Sequence, residues 1–255
     1  MMWHAIACAL ALLIAAPIVR AAEYASVPGG SFASVLPPDG KAAEARVAPH
    51  RLRTLPVTNG EYLDFVRTHP QWQRGRIAAL FTDTQYLVHW AGPTALGSAG
   101  AQQPVTHVSW FAAQAYCESE RARLPNWYEF EQAAAADATR ADARADAGWR
   151  ERILDWYSRP STSALPDVGG ARNFYGISDV HGLIWEWVDD YASLMISGDN
   201  RDQGDPDLLK FCGAGALSTQ DRENYAVLMR VAMLSSLKAV DTTANMGFRC
   251  AQDLQ

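Results

Sequence analysis

Between Gly176 and Tyr191 the chain reads GISDVHGLIWEWVDDY, which sets a carboxylate, Glu186, between Trp185 and Trp187. Burying an unpaired anion among apolar rings costs on the order of several kcal/mol or more. Glu186 therefore requires a positive partner, either a bound cation or an arginine such as Arg249. The remaining groups with metal or redox chemistry are sparse. The six histidines, His4, His50, His69, His89, His107 and His181, are spread singly along the chain. None has the i, i+4 spacing that places two imidazoles on one helix face, so each reads as a packed or solvated residue. The four cysteines are Cys8, Cys117, Cys212 and Cys250.

These groups sit in 255 residues of ordinary globular composition, 49% hydrophobic and 20% charged, which excludes a disordered chain. The formal charge of −6 and the lack of a basic stripe exclude non-specific nucleic-acid binding. Nine tryptophans point to a core filled by large rings. The apolar run from Ala5 to Val19 is short for a membrane span and ends in small residues. It reads as a signal peptide over residues 1–21, cleaved after Ala21, leaving one domain over 22–255 without a stable membrane span. Export predicts a periplasmic or secreted protein. Cys8 leaves with the signal, and two of the other three cysteines are expected to pair in an oxidising compartment. Spacing alone does not say which two.

The elements that must position these residues are short. A helix is predicted to begin near Thr58 or Asn59, with Tyr62, Phe65 and Val66 on one face. A second runs from about Trp110 to Arg121, and a third starts after Pro125. The Ala- and charge-rich stretch from Ala133 to Arg152 reads as a solvated helix. From Pro160 onward, short strands and glycine turns are expected, with one helical stretch over Tyr225–Leu237.

Four separated stretches together resemble the formylglycine-generating enzyme (sulfatase-modifying factor) family. They are PGGSF with PVTNGEYLDFV, QPVTHVSWFAAQAYCESERARLPNWYEFEQAA, YGISDVHGLIWEWVDDY and TTANMGFRCA. The resemblance implies an α+β fold related to C-type lectins, with much irregular backbone. It also implies a structural calcium ion held by the side chains of Asp179 and Glu186 and the carbonyls of Val180, Gly182 and Ile184. Such a cation prefers roughly six to eight oxygens. Leu183 stands where the family usually has asparagine. The resemblance further implies a disulfide between Cys117 and Cys250.

The family's copper-dependent conversion of cysteine to formylglycine relies on two thiolates a few residues apart, soft ligands suited to Cu(I). Matching Arg230 to the family's arginine places Ala226 and Asp221 at those two positions, and no cysteine lies between Cys212 and Cys250. Formylglycine synthesis by that route is not expected. CGAGAL, YAVLMRVAMLSSL and TTANMGFRCA are similar instead to an exported branch encoded beside copper nitrite reductases or needed for pyoverdine maturation. That similarity implies a periplasmic maturation factor whose partner is a peptide or protein, such as a metalloenzyme or a siderophore precursor. Its candidate catalytic residues are Cys212, as the unpaired thiol, Arg230, Asp221 and Ser235, and any catalytic metal is undetermined. A non-catalytic binding or chaperone module is the alternative.

Overall fold

The computed structural model describes residues 22–34, 36, 44–158, 164–195 and 225–254. The expected signal peptide, Cys212 and Asp221 lie outside them. Strand β1 (Tyr24–Val27) leads into β2 (Gly30–Phe32), which forms an antiparallel ribbon with β3 (Ala45–Val47). Strand β4 (His50–Arg53) then pairs with β1, setting Leu52 opposite Ala25.

Three short helices follow, each begun by a polar side chain that satisfies a free amide. Helix α1 (Asn59–Thr68) opens on a capping box between Thr58 and Glu61, and Tyr62, Phe65 and Val66 are buried as expected. Ser109 caps α2 (Trp110–Ser119) by accepting from the Ala112 amide. Helix α3 (Trp127–Ala134) starts on a second capping box, Asn126 with Glu129, whose carboxylate is also clamped by both Nη atoms of Arg123 at 2.7 Å. These helices surround an aromatic core in which Tyr62 stacks on Tyr116 at 5.7 Å and Phe248 meets both rings edge-on.

The stretch from Ala133 to Arg152 is not one solvated helix. It is the end of α3, a tight loop and the start of α4 (Ala147–Ser158). The aspartates explain the break. Asp137 accepts from the Thr139 and Arg140 amides and Asp142 from Arg144, so both carboxylates compete with helical pairing, whereas Asp146 accepts from the Trp149 amide and caps the start of α4. Nor is the stretch solvated throughout: Ala133 to Ala136 and Ala143 are buried, while Ala138, Ala141, Ala145 and Ala147 are exposed.

After the turns that precede it, β5 (Trp185–Glu186) lies parallel to β6 (Met246–Gly247), near the C-terminal end. Helix α5 (Tyr225–Ser235) falls within the predicted helical stretch. Gly247 is required there because a Cβ would stand 2.4 Å from the Val105 carbonyl oxygen and 2.6 Å from Ile184 Cδ1. Strand β7 (Ala251–Asp253) completes the three-stranded sheet in the order β1-β4-β7, Ala251 facing Leu52. One mixed α+β architecture results, with small sheets and long irregular connections. Among the described residues, no helix is long and apolar enough to cross a membrane.

Cys117 on α2 is bonded to Cys250 beside β7, both fully buried, closing a loop of 133 residues. Replacing both by alanine is expected to lower stability by about 2–5 kcal/mol, read as a shifted midpoint in guanidinium unfolding.

Candidate functional site

Successive side chains of an extended chain point to opposite sides, so Glu186 leaves the strand away from Trp185 and Trp187. It meets Arg249: Nε donates to Oε2 at 2.7 Å and Nη2 to Oε1 at 2.8 Å, with both residues 0% exposed. The rest of the guanidinium is also occupied, since Nη1 donates to the Arg53 carbonyl and Nη2 to the Ser178 carbonyl. Of the two partners the sequence left open, the structure gives Glu186 the arginine.

Two of the other oxygens expected at calcium, those of Asp179 and Val180, accept hydrogen bonds as well. Asp179, in a left-handed conformation (φ 60°), accepts from the Gly169 and Gly170 amides at 2.7 and 3.0 Å. The Val180 carbonyl accepts from Arg230 Nη2 at 3.0 Å. Gly182 takes φ 97° in the turn, and Ile184 is buried. Among the described residues, no three His, Cys, Asp or Glu side chains converge on a common point. As placed, both Glu186 oxygens are taken by Arg249 and the Asp179 carboxylate by two backbone amides.

Arg230, the third residue of this group, projects from α5 and is 3% exposed. Its guanidinium carbon lies 3.9 Å from the centroid of Phe130 and 5.9 Å from Trp185. Such cation–π contact stabilises a desolvated charge by about 2 kcal/mol or more. No carboxylate pairs with it among the described residues, and its Nη1 is buried without a hydrogen-bond partner. Burial pulls its pKa below the usual arginine value, partly offset by Tyr157 and Glu186. The Tyr157 hydroxyl is buried next to Arg230, and burial raises its pKa while the charge of Arg230 and a hydrogen bond to it act the other way. Tyr157 packs on Trp156 at 4.4 Å and on Trp185 at 5.1 Å.

Beside this aromatic group a cleft of about 220 Å³ is lined by Trp149, Arg152, Ile153, Trp156, His181 and Gly182. His181 Nε2 donates to the Ala134 carbonyl at 2.8 Å, so the neutral ring carries its lone pair on Nδ1, which is buried and unpartnered. Burial, reinforced by Arg230, brings its pKa down to about 4. The cleft itself presents Trp149, Trp156 and Ile153 with Arg152 and His181, while the buried Arg230 and Tyr157 are not among its lining residues, Tyr157 packing on Trp156 from beside it.

Of the residues expected to be catalytic, Arg230 is here, while Cys212 and Asp221 lie outside the described residues. Ser235 is five positions after Arg230, about 140° round the helix, and its hydroxyl bonds the Ala232 carbonyl of its own turn. It does not join the group. Phe130, Tyr157 and His181 were not anticipated, although the paired aromatics Trp156 and Tyr157 were a usable signal.

Sequence comparison matches residues 11–254 to the family described as "Sulfatase-modifying factor enzyme 1-like domain". The formylglycine-generating enzyme of Streptomyces coelicolor is 28% identical, covering 89% of this chain and 88% of its own. The mouse (Mus musculus) protein named inactive C-alpha-formylglycine-generating enzyme 2 is 26% identical, covering 88% and 84%. The solved structure of PvdO from Pseudomonas aeruginosa covers 90% of this chain and 93% of its own, with TM-score 0.46 and 16% identity.

Arg249→Met leaves Glu186 buried and unpaired and is expected to lower stability by about 3–5 kcal/mol. Adding Glu186→Leu should recover most of the loss in chemical unfolding, while calcium addition or chelation leaves the wild-type curve in place. Acid should also weaken the fold. His89 and His181 have folded pKa values of about 4 against 6.5 when unfolded, so between those values the unfolded chain takes up protons that the native state does not. Stability is thus complete above pH 6.5 and falls as pH drops towards 4, measured as a falling Tm across that window.

Proposed function

Because the chain belongs to the sulfatase-modifying factor enzyme 1-like family, we propose that it is an exported maturation factor that binds a peptide or protein partner and modifies it or assists its modification. The observation that carries this reading is Arg230, a buried guanidinium with one N–H unsatisfied, set beside the Tyr157 hydroxyl and an aromatic cleft. In a water-poor site a charged N–H is an unusually strong donor, and a peptide carbonyl or carboxylate would accept from Arg230 Nη1. Trp149, Trp156 and Ile153 would cover an adjacent apolar side chain. A periplasmic destination rests on the apolar run from Ala5 to Val19. A metalloenzyme or a siderophore peptide precursor is the kind of partner the exported relatives suggest.

Formylglycine chemistry is no part of this proposal, since no thiol pair stands between Cys212 and Cys250. The same absence, with a relative whose name declares it inactive, favours a second reading in which the chain binds its partner without altering it.

The two readings separate in a strain lacking this protein, complemented with wild type, Arg230→Met or Arg230→Lys. Arg230→Met keeps the stem packed on Phe130 but removes the charged donor. Peptide mass spectrometry of exported proteins should show a mass change present with wild type and lost with Arg230→Met, with Arg230→Lys in between. Partner affinity should fall about 10–100-fold in Arg230→Met. Stoichiometric capture of a partner with no mass change would establish the binding module instead. Wild-type behaviour of Arg230→Met would remove Arg230 from the site.

A further inference from the structure

One face of helix α4 lines a cleft instead of the main core. Trp149, Arg152, Ile153 and Trp156 fall at i, i+3, i+4 and i+7, the spacing that stacks side chains along one side of a helix. His181 and Gly182 supply the rest of the lining, around about 220 Å³ of space. Trp149 and Ile153 are buried and form, with Ala143 and Tyr157, an apolar cluster of their own. Trp149 meets His181 edge-on at 5.8 Å. The pyrrole edge of Trp156 lies across Gly182, its Cδ1 and Nε1 3.7 and 3.8 Å from where a Cβ would stand.

The charge in this cleft is one-sided. Arg152 is the cation in its lining, and among the described residues no carboxylate lines it. Arg152 is exposed and makes no ion pair among the described residues. Asp146 senses its charge, yet gives Oδ1 to the Trp149 amide and Oδ2 to Arg140 Nη1. The Trp156 indole, which can only donate, reaches no protein oxygen among the described residues. His181 adds neither charge nor an open acceptor, because its ring is neutral down to about pH 4 and its Nδ1 is sealed from solvent. Size narrows the ligand further: about 220 Å³ falls short of the roughly 300–1,000 Å³ of sites for drug-sized molecules. The space suits one large side chain.

We propose that the cleft seats one flat apolar residue of a peptide, its side chain against Trp149, Ile153 and Trp156 and an adjacent carboxylate on Arg152. A guanidinium matches a carboxylate with two parallel charge-assisted bonds, and apolar walls beside it strengthen them. The carboxylate is the peptide's C-terminus or a neighbouring acidic side chain. The inference rests on the peptide-binding reading above and names the residue bound, through Arg152 and not Arg230.

Three probes titrated into the purified protein test it: acetyl-Gly-Phe with a free C-terminus, acetyl-Glu-Phe-amide and acetyl-Gly-Phe-amide. Proton–nitrogen NMR follows the indole N–H resonances of Trp149 and Trp156. At least one acid should move both resonances saturably, with a Kd on the order of millimolar for so small a ligand. The tighter acid identifies the source of the carboxylate. The probe without a carboxylate should bind at least about tenfold more weakly, and Arg152→Gln should weaken the acids about tenfold. That exposed substitution should leave Tm in place. Equal binding of the uncharged amide, indoles unmoved by every probe, or an Arg152→Gln titration matching wild type would overturn the assignment. So would inorganic phosphate that shifts both indoles as the acids do, since Arg152 would then be a bare anion contact. Partner binding lost in the Arg230→Met strain while these titrations stay blank sinks the cleft assignment alone. The reverse pair of results sinks the Arg230 reading alone.

Discussion

The ion pair between Glu186 and Arg249 holds together parts of the chain that little else connects. The strands at its two ends, β5 and β6, are two residues each, far too short to fix a register by ladder bonds alone. Through its remaining N–H groups Arg249 also grips the end of β4 at the Arg53 carbonyl and the 178 turn at the Ser178 carbonyl. Four segments thus meet on one guanidinium, each of whose three nitrogens donates to a buried oxygen. A buried pair of this kind adds little net stability over an apolar replacement, because both ions lose their hydration. What it supplies is a single allowed arrangement, since any displacement strands a charge in the core.

That arrangement sets up Arg230. The turn from Ile177 to Gly182 directs alternate carbonyls inward, and each meets a cation: Ser178 serves Arg249 and Val180 serves Arg230. The sequence resemblance assigned the Val180 carbonyl, with those of Gly182 and Ile184, to calcium, and the chemistry of a loop that gathers oxygens about positive charge is the same. Here the positive charge is supplied by two arginines against a single carboxylate. Arg249 takes both oxygens of Glu186, which leaves Arg230 to Phe130, one carbonyl and an unsatisfied N–H. The candidate site is therefore the uncompensated half of the same electrostatic arrangement that holds the fold together.

How much of this was legible depends on the distance over which each feature is determined. Helices α1 and α3 were readable because their starts are local, with Thr58 and Asn126 each bonded to a residue three positions on. The Cys117–Cys250 bridge followed from resemblance, since spacing alone left three cysteines open. Ala133–Arg152 was misread because alanine's helix propensity was weighed without the aspartates, whose carboxylates capture nearby amides. Arg249 was one of two partners named for Glu186, and no local signal separates an arginine from a metal ion. Phe130, Tyr157 and Arg230 are far apart in sequence and meet only through packing.

The tryptophans explain how so irregular a chain holds a site at all. A loop's backbone carbonyls have no ladder to join, yet buried ones need donors. Indoles supply them across the fold: Trp187 donates to the Val108 carbonyl, and Trp110 donates to the Val188 carbonyl in return, cross-linking the loop before α2 to the segment after β5. Trp90 does the same for the Asn59 side chain. Each ring fills core volume and its one N–H fixes a loop, so the scaffold is set by a few large side chains rather than by long strands. Connections between those anchor points carry few structural duties of their own. Loops of that kind are free to vary while the anchored rings keep Arg230 buried against Phe130 and Trp185.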